Sequence, residues 1–309
     1  MRLTRRGFTL TELIVATAIG SLVATAIIGT LVRQQRFYQA ASETLATRSQ
    51  LRDGADVLVA DLRGSAVSSL GLPLMTDTAI EMYTIIGSSI ACAESASSII
   101  GLPPSTLTAG NTLTSLLAAP DTGDLALVFT APPGFPDSSR WVSVRIASFA
   151  ARSLATSCPA STGFTTAADS YPGATGYLLT LATLPPFSIR RGSIVRILRR
   201  VRYSLYRSAD GRWYLGYRRC NLADPAQCVA VQPVSGPYRP YGSGASGLEF
   251  RYFDSTGLRL MSGTQSRSVA RVEIILRGET ADAISMAGEN RQRWRDSTVA
   301  TVSPRNRER

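Results

Sequence analysis

The 309-residue chain has no histidine, and lysine is missing as well, so all 33 of its basic residues are arginine. Without imidazole there is no histidine general base near neutral pH, no histidine metal ligand and no Ser-His-Asp triad. A Gly-x-Ser-x-Gly elbow and a phosphate-binding loop are absent too. Cysteine is scarce, four in all, and none stands in a Cys-x-x-Cys pair, which leaves a zinc site without its usual ligands. These absences point away from catalysis: the expectation is no enzyme, no cofactor, no metal and no small-molecule substrate.

What the chain does have is a distinctive start. Arg2, Arg5 and Arg6 precede an apolar run from Phe8 to Val32 that contains a single charge, Glu12. A bilayer core of about 30 Å needs roughly 20 apolar helical residues, so this run can span it. The arginines hold the N-terminus in the cytoplasm and send everything after Val32 outward. A secretory signal peptide is the commoner object of this kind, but its apolar core is about 7 to 15 residues and ends in a small-residue cleavage site. A plain anchor fits the length better, yet an acid at the centre of a spanning helix costs on the order of 3 kcal/mol and therefore needs a purpose.

The string Arg5-Arg6-Gly7-Phe8-Thr9-Leu10-Thr11-Glu12-Leu13-Ile14 resembles the N-terminal motif of type IV prepilins and type II secretion pseudopilins. The resemblance implies a membrane prepilin peptidase that cuts between Gly7 and Phe8, methylation of Phe8, and an assembly role for Glu12, five residues into the mature chain. The chemistry is sound without the family. A carboxylate one helical turn from the new ammonium, on the same chain or a neighbouring one, neutralises a charge that lipid does not tolerate. Otherwise Glu12 is an acid near enough to the interface to snorkel. Thr9, Thr11, Thr17, Ser21, Thr25, Gly20 and Gly29 suit close helix packing in lipid.

From Arg33 to Arg63 there is no proline, and Phe37, Ala41, Leu45, Leu51, Ala55, Leu58 and Leu62 recur at helical spacing. One helix from Phe8 to Arg63 would be about 84 Å long, with Gly54 as its weak point and the part from Phe37 to Leu62 lying on a sheet. The expected fold is α+β and pilin-like: a long N-terminal helix, membrane-spanning and then amphipathic, packed on an antiparallel sheet with long loop inserts. Its parts would be a leader over 1–7, a membrane or filament-core helix over 8–32, an amphipathic continuation over 33–65 and an exported domain over 66–309.

Within that domain, 66–189 is rich in Ser, Thr, Ala, Gly and Pro, with strands expected at Ile80 to Ile86, Leu125 to Phe129, Trp141 to Ile146 and Tyr177 to Leu181. The stretches around Cys92 and Cys158 read as exposed decoration, in part disordered. Over 190–309 an antiparallel meander is expected. Val195, Ile197, Val201, Tyr203 and Leu205 form one face, interrupted by Arg199, while Arg196, Arg200 and Arg202 project oppositely. A turn at Ala209-Asp210-Gly211 would pair Leu205 with Leu215 and Tyr203 with Tyr217. Further strands are expected at Leu248 to Phe253, Arg259 to Met261 and Val269 to Leu276, with a turn at Ser255-Thr256-Gly257. On the oxidising side of a membrane, disulfides are the natural state of Cys92, Cys158, Cys220 and Cys228. Three connectivities exist; the favoured one joins Cys220 to Cys228 across the short loop NLADPAQ and leaves Cys92 with Cys158.

This layout, with its Pro304-Arg305-Asn306 ending, is similar to the PilW-type minor pilins and the J-type minor pseudopilins, and the roomy inserts favour the pilus side. The resemblance implies a subunit that primes or caps a type IV pilus. Its partners would be the prepilin peptidase, the inner membrane and other major and minor pilins. It would be single-pass, with its domain periplasmic or extracellular and incorporated into a surface filament. The other class to weigh is an anchored secreted enzyme or DNA-binding module. The formal charge of +11 falls to +8 once the three leader arginines are removed. DNA could meet Arg190, Arg191, Arg196, Arg200, Arg202, Arg218 and Arg219, but a solvated basic face is the plainer expectation.

Overall fold

The computed structural model describes residues 9–304 except 94, 96, 131–139, 187, 221–227, 243–244, 262–264 and 286–289, and the backbone but not the side chains of 68–69. One helix, α1 (Leu10–Gly64), runs for 55 residues, about 82 Å at 1.5 Å per residue. Its first turn is closed by Thr9 and Glu12. Its end is closed by Ser65, whose hydroxyl donates to the Leu62 carbonyl at 2.6 Å.

The described strands are β1 (Leu74–Met75), β2 (Ala79–Ile90), β3 (Ile99–Leu102), β4 (Ser115–Leu116), β5 (Leu125–Thr130), β6 (Arg140–Ser153) and β7 (Thr175–Leu181). They continue with β8 (Ile194–Arg207), β9 (Trp213–Arg219), β10 (Gln232–Tyr238), β11 (Leu248–Phe253), β12 (Arg259–Leu260), β13 (Arg271–Glu279) and β14 (Arg295–Val302). All of them join one antiparallel sheet. Its spine is β8, which pairs with β2 along nearly its whole length. On its other side β8 takes β5 against Val195 to Leu198 and β9 against Val201 to Arg207.

The β8–β9 hairpin turns through Gly211 at φ 78°, and it pairs Tyr203 with Tyr217 and Leu205 with Leu215. Only glycine takes that backbone region at little cost. Past β10 the simple meander ends. Strand β13 lies between β11 and β14 and meets β10 only at Gly278.

Two cores share the spine. One gathers Leu51, Leu58 and Leu62 of α1 with Val201, Tyr203, Leu215, Phe250 and Ile274. The other gathers Ile100, Leu102, Val128, Ile146, Leu179, Val195 and Ile197. Arg199, between Ile197 and Val201, stands at the seam, where its guanidinium is held by the buried Asp124 at 2.6 Å and by the Ala119 carbonyl at 2.8 Å. The interruption of the apolar face is therefore a paired charge, as a buried arginine requires.

Three expectations are corrected. The face of α1 that packs on the sheet is Ala40, Thr47, Leu51, Gly54, Ala55, Leu58 and Leu62, while Phe37 and Leu45 are 69% and 65% exposed. Leu45 stands about 200° around the helix from Thr47, which packs with Leu51 against Gly278 of β13. At Gly54 a Cβ would collide with Tyr238 Oη and Ser235 Oγ, so the apparent weak point is the point of closest approach. The stretches around Cys92 and Cys158 are also more than decoration: Ala91, Cys92, Ile100, Leu102, Leu154 and Cys158 are buried. Cys92 is bonded to Cys158, and Cys220 to Cys228; the loop 221–227 itself lies outside the described residues.

Candidate functional site

Arg2, Arg5, Arg6, Gly7 and Phe8 lie outside the described residues, as do Arg305 and Asn306. The description of the N-terminal site therefore starts at Thr9. The Thr9 N–H donates to Glu12 Oε2 at 3.0 Å and its hydroxyl donates to the same oxygen at 2.9 Å, while the Glu12 N–H donates to Thr9 Oγ1 at 3.3 Å. This is a reciprocal cap that satisfies donors the first turn of a helix leaves open. Thr-x-x-Glu is its sequence signature, which a search for motifs of cleavage alone passes over. A carboxylate at this end is also favoured by the helix dipole.

Beyond the cap, every residue from Leu10 to Gln39 is exposed. The segment is long and apolar enough to cross a membrane by length and composition. Its hydroxyls are turned back onto the helix itself: Thr17 donates to the Ile14 carbonyl at 3.0 Å, Ser21 to Ala18 at 2.8 Å, Thr25 to Ser21 at 2.8 Å and Thr30 to Ala26 at 2.9 Å. Each of these four hydroxyls is thereby satisfied within the helix, the condition for lying in hydrocarbon. Gly20 and Gly29 have open space where a Cβ would stand, so the chain's own domain does not use their smallness.

The basic face is divided: Arg190, Arg191 and Arg219 are exposed, while the others are partly or fully buried. Arg200 and Arg202 both bind Glu81, which is fully buried. Arg196 lies 4.6 Å from the ring centre of Trp141, and Arg191 donates to the Thr162 carbonyl at 3.3 Å. Arginines that alternation projects from a strand thus serve the sheet's own outer layer, because β2 places an acid directly across from Arg202. Among the described residues Glu81, Cys220 and Cys228 bring a carboxylate oxygen and two sulfurs within 4.8 Å of one another. The sulfurs are bonded to each other and the carboxylate is held by the two arginines, so this group is a buried structural cluster.

A second acid, Asp61, faces the sheet from α1 and accepts the Tyr203 hydroxyl at 2.6 Å. Burial raises its pKa above the ordinary aspartate value, and the tyrosine hydrogen bond opposes the rise. Desolvation, with the nearby Asp61 charge, also pushes the Tyr203 phenol well up, keeping it protonated and a donor. Neither Asp61 nor Glu81 announces itself in the sequence; the signal available was an acid within an apolar stripe.

Residues 2–28 match a family model described as the prokaryotic N-terminal methylation motif. No curated protein and no solved structure matches the chain.

Proposed function

We propose that the chain is a minor pilin, a non-catalytic subunit that primes or caps a type IV pilus after cleavage between Gly7 and Phe8. The methylation motif supports a type IV pilin-like or pseudopilin protein. The observation that carries the reading further is the geometry of α1: one half packed on a folded domain, the other wholly exposed, apolar and internally hydrogen-bonded. Such a half needs lipid or other helices around it. The prepilin peptidase, the inner membrane and other pilins are its partners in this reading, with the domain outside the cytoplasm. The role of Glu12 follows from its cap: cleavage would place a new ammonium one residue before the Thr9 N–H that the carboxylate already accepts. A minor pseudopilin of a type II secretion system is the second reading, favoured by the same motif.

Mass spectrometry of the mature N-terminus tests the proposal. A chain beginning at methylated Phe8 is expected, and an N-terminus beyond Ala26 refutes it. Glu12→Ala should be exported and cleaved normally yet be depleted from pelleted filaments; wild-type incorporation would leave the acid with its capping role alone.

A further inference from the structure

We propose that the cleft between the loop over 104–108 and the chain entering β7 binds a neutral saccharide. It has a volume of about 330 Å³, within the range of roughly 300 to 1,000 Å³ usual for small-ligand pockets. Every residue lining it belongs to the described residues. Its walls are pinned by one acid. Asp169 is buried; its Oδ1 accepts the Thr108 N–H at 2.7 Å, and its Oδ2 accepts the Thr166 N–H and the Thr166 hydroxyl, both at 2.7 Å. Thr108 also donates its hydroxyl to the Ala168 carbonyl at 3.2 Å. Segments 61 residues apart in sequence are thus tied twice through Thr108, and the hollow between them is formed before a ligand arrives.

Chemistry selects the ligand. Asp169 is the one charged residue among those lining the cleft, so nothing there offsets the charge of a phosphate or another anion. Its own charge is already spread over three donors, of a carboxylate's roughly four acceptor positions, and these bonds, the one from the Thr108 amide first, hold it well below the ordinary carboxylate range. That leaves room for one hydroxyl more than a bare charge for a cation. Thr106, Tyr171 and Thr175 stand around it, all exposed, and among the described residues none of their hydroxyls has a hydrogen-bond partner. Pro104, Leu107 and Ala174 supply apolar surface between them. A sugar ring carries hydroxyls that both donate and accept beside patches of C–H that lie against aromatic and aliphatic carbon, so it meets both kinds of wall at once. The strands on which α1 packs, β2, β10, β13 and β14, do not line the cleft, and it stays open whatever surrounds the helix.

The test applies the full chain, in a polyoxyethylene detergent that carries no sugar, to an array of neutral hexose and N-acetylhexosamine disaccharides with their sialylated, phosphorylated and amino-sugar counterparts. Saturation-transfer NMR titration then gives the dissociation constant of the best binder. Wild type should prefer the neutral set. Tyr171→Ala should weaken binding about tenfold, the worth of roughly half an aromatic ring's burial. Thr106→Val with Thr175→Val keeps the shape, removes two hydroxyls and should also cost about tenfold. All three positions are exposed, and circular dichroism matching wild type confirms that the fold is kept. Tyr241→Ala, which alters an exposed tyrosine outside the cleft, should bind as wild type does. Binding of no neutral glycan, preference for the charged counterparts, unchanged affinity in either cleft variant, or equal loss in Tyr241→Ala each overturns the site.

Discussion

Gly54→Ala separates helix propensity from tertiary packing by the sign of its effect. In a helix interior, alanine is favoured over glycine by about 1 kcal/mol, so propensity alone calls for a gain. At this position the added Cβ would land on Tyr238 Oη and Ser235 Oγ. Those oxygens are hydrogen-bonded to each other at 2.6 Å, and Tyr238 also donates to the Gln50 carbonyl at 3.2 Å. Parting a buried polar pair costs about 1 to 3 kcal/mol, and overpacking a further 1 to 3, roughly. Subtracting the propensity gain leaves a net loss of about 1 to 5 kcal/mol. The measurement is urea unfolding of the chain started at Arg33, since the helix before that point is exposed throughout and adds nothing to either core. In a Tyr238→Phe background the collision loses one of its two oxygens, so Gly54→Ala should cost less there by at least about 0.5 kcal/mol, the scale of coupling between touching residues. A Gly54→Ala chain that is more stable than wild type by about 1 kcal/mol would refute the close approach.

Three further outcomes are expected. Glu81→Ala strands Arg200 and Arg202 beside an emptied buried site and should cost about 3 to 5 kcal/mol in the same urea assay; a loss below about 1 kcal/mol would mean that water reaches the cluster. Breaking Cys92–Cys158 by double alanine replacement opens a loop of sequence separation 66 and breaking Cys220–Cys228 one of 8, so chain entropy ranks the costs at about 4 and about 2.5 kcal/mol, and a reversed order of urea midpoints contradicts that ranking. Because the folded chain holds the Asp61 proton above the ordinary value of 3.8, it binds more protons than the unfolded chain in the interval between, and stability from this group falls as pH rises through the raised value. Wild type measured against Asp61→Asn should therefore gain relative stability on acidification across that interval, and a flat difference would show that Asp61 is solvated.

How far the fold was legible depended on whether the signal was local. Alternation along Ile194 to Tyr206 and the Asp-Gly turn placed the β8–β9 hairpin to the residue, because period-two patterning and a positive-φ glycine act within a dozen positions. The long helix was equally plain, since nothing between Leu10 and Gly64 breaks it. Its packing face was not: Phe37 and Leu45 have the right chemistry, yet the step of six residues from Leu45 to Leu51 turns the helix by about 240°, so Leu45 points away from β13, where Thr47 and Leu51 meet Gly278. Sequence separation also hid the partners of Arg199, Arg200 and Arg202, which come from Asp124 and Glu81, 75 to 121 residues away. At the N-terminal site the motif was legible from spacing, whereas the capping bonds of Glu12 were not, because its charge pointed to the new ammonium, on the same chain or a neighbouring one, before the Thr9 hydroxyl and N–H.

The uneven attachment of α1 has a mechanical consequence. The helix touches β2, β10, β13 and β14, so a pull along its apolar half enters the sheet beside the first core. Among the described residues, β3, β5, β6 and β7 join the sheet from there through β8, beside β2. They lie off the line of tension. Force that shears the helix from its strands leaves the second core, its Cys92–Cys158 bond and the surface it carries unstretched, like a flag beside the rope that bears the load.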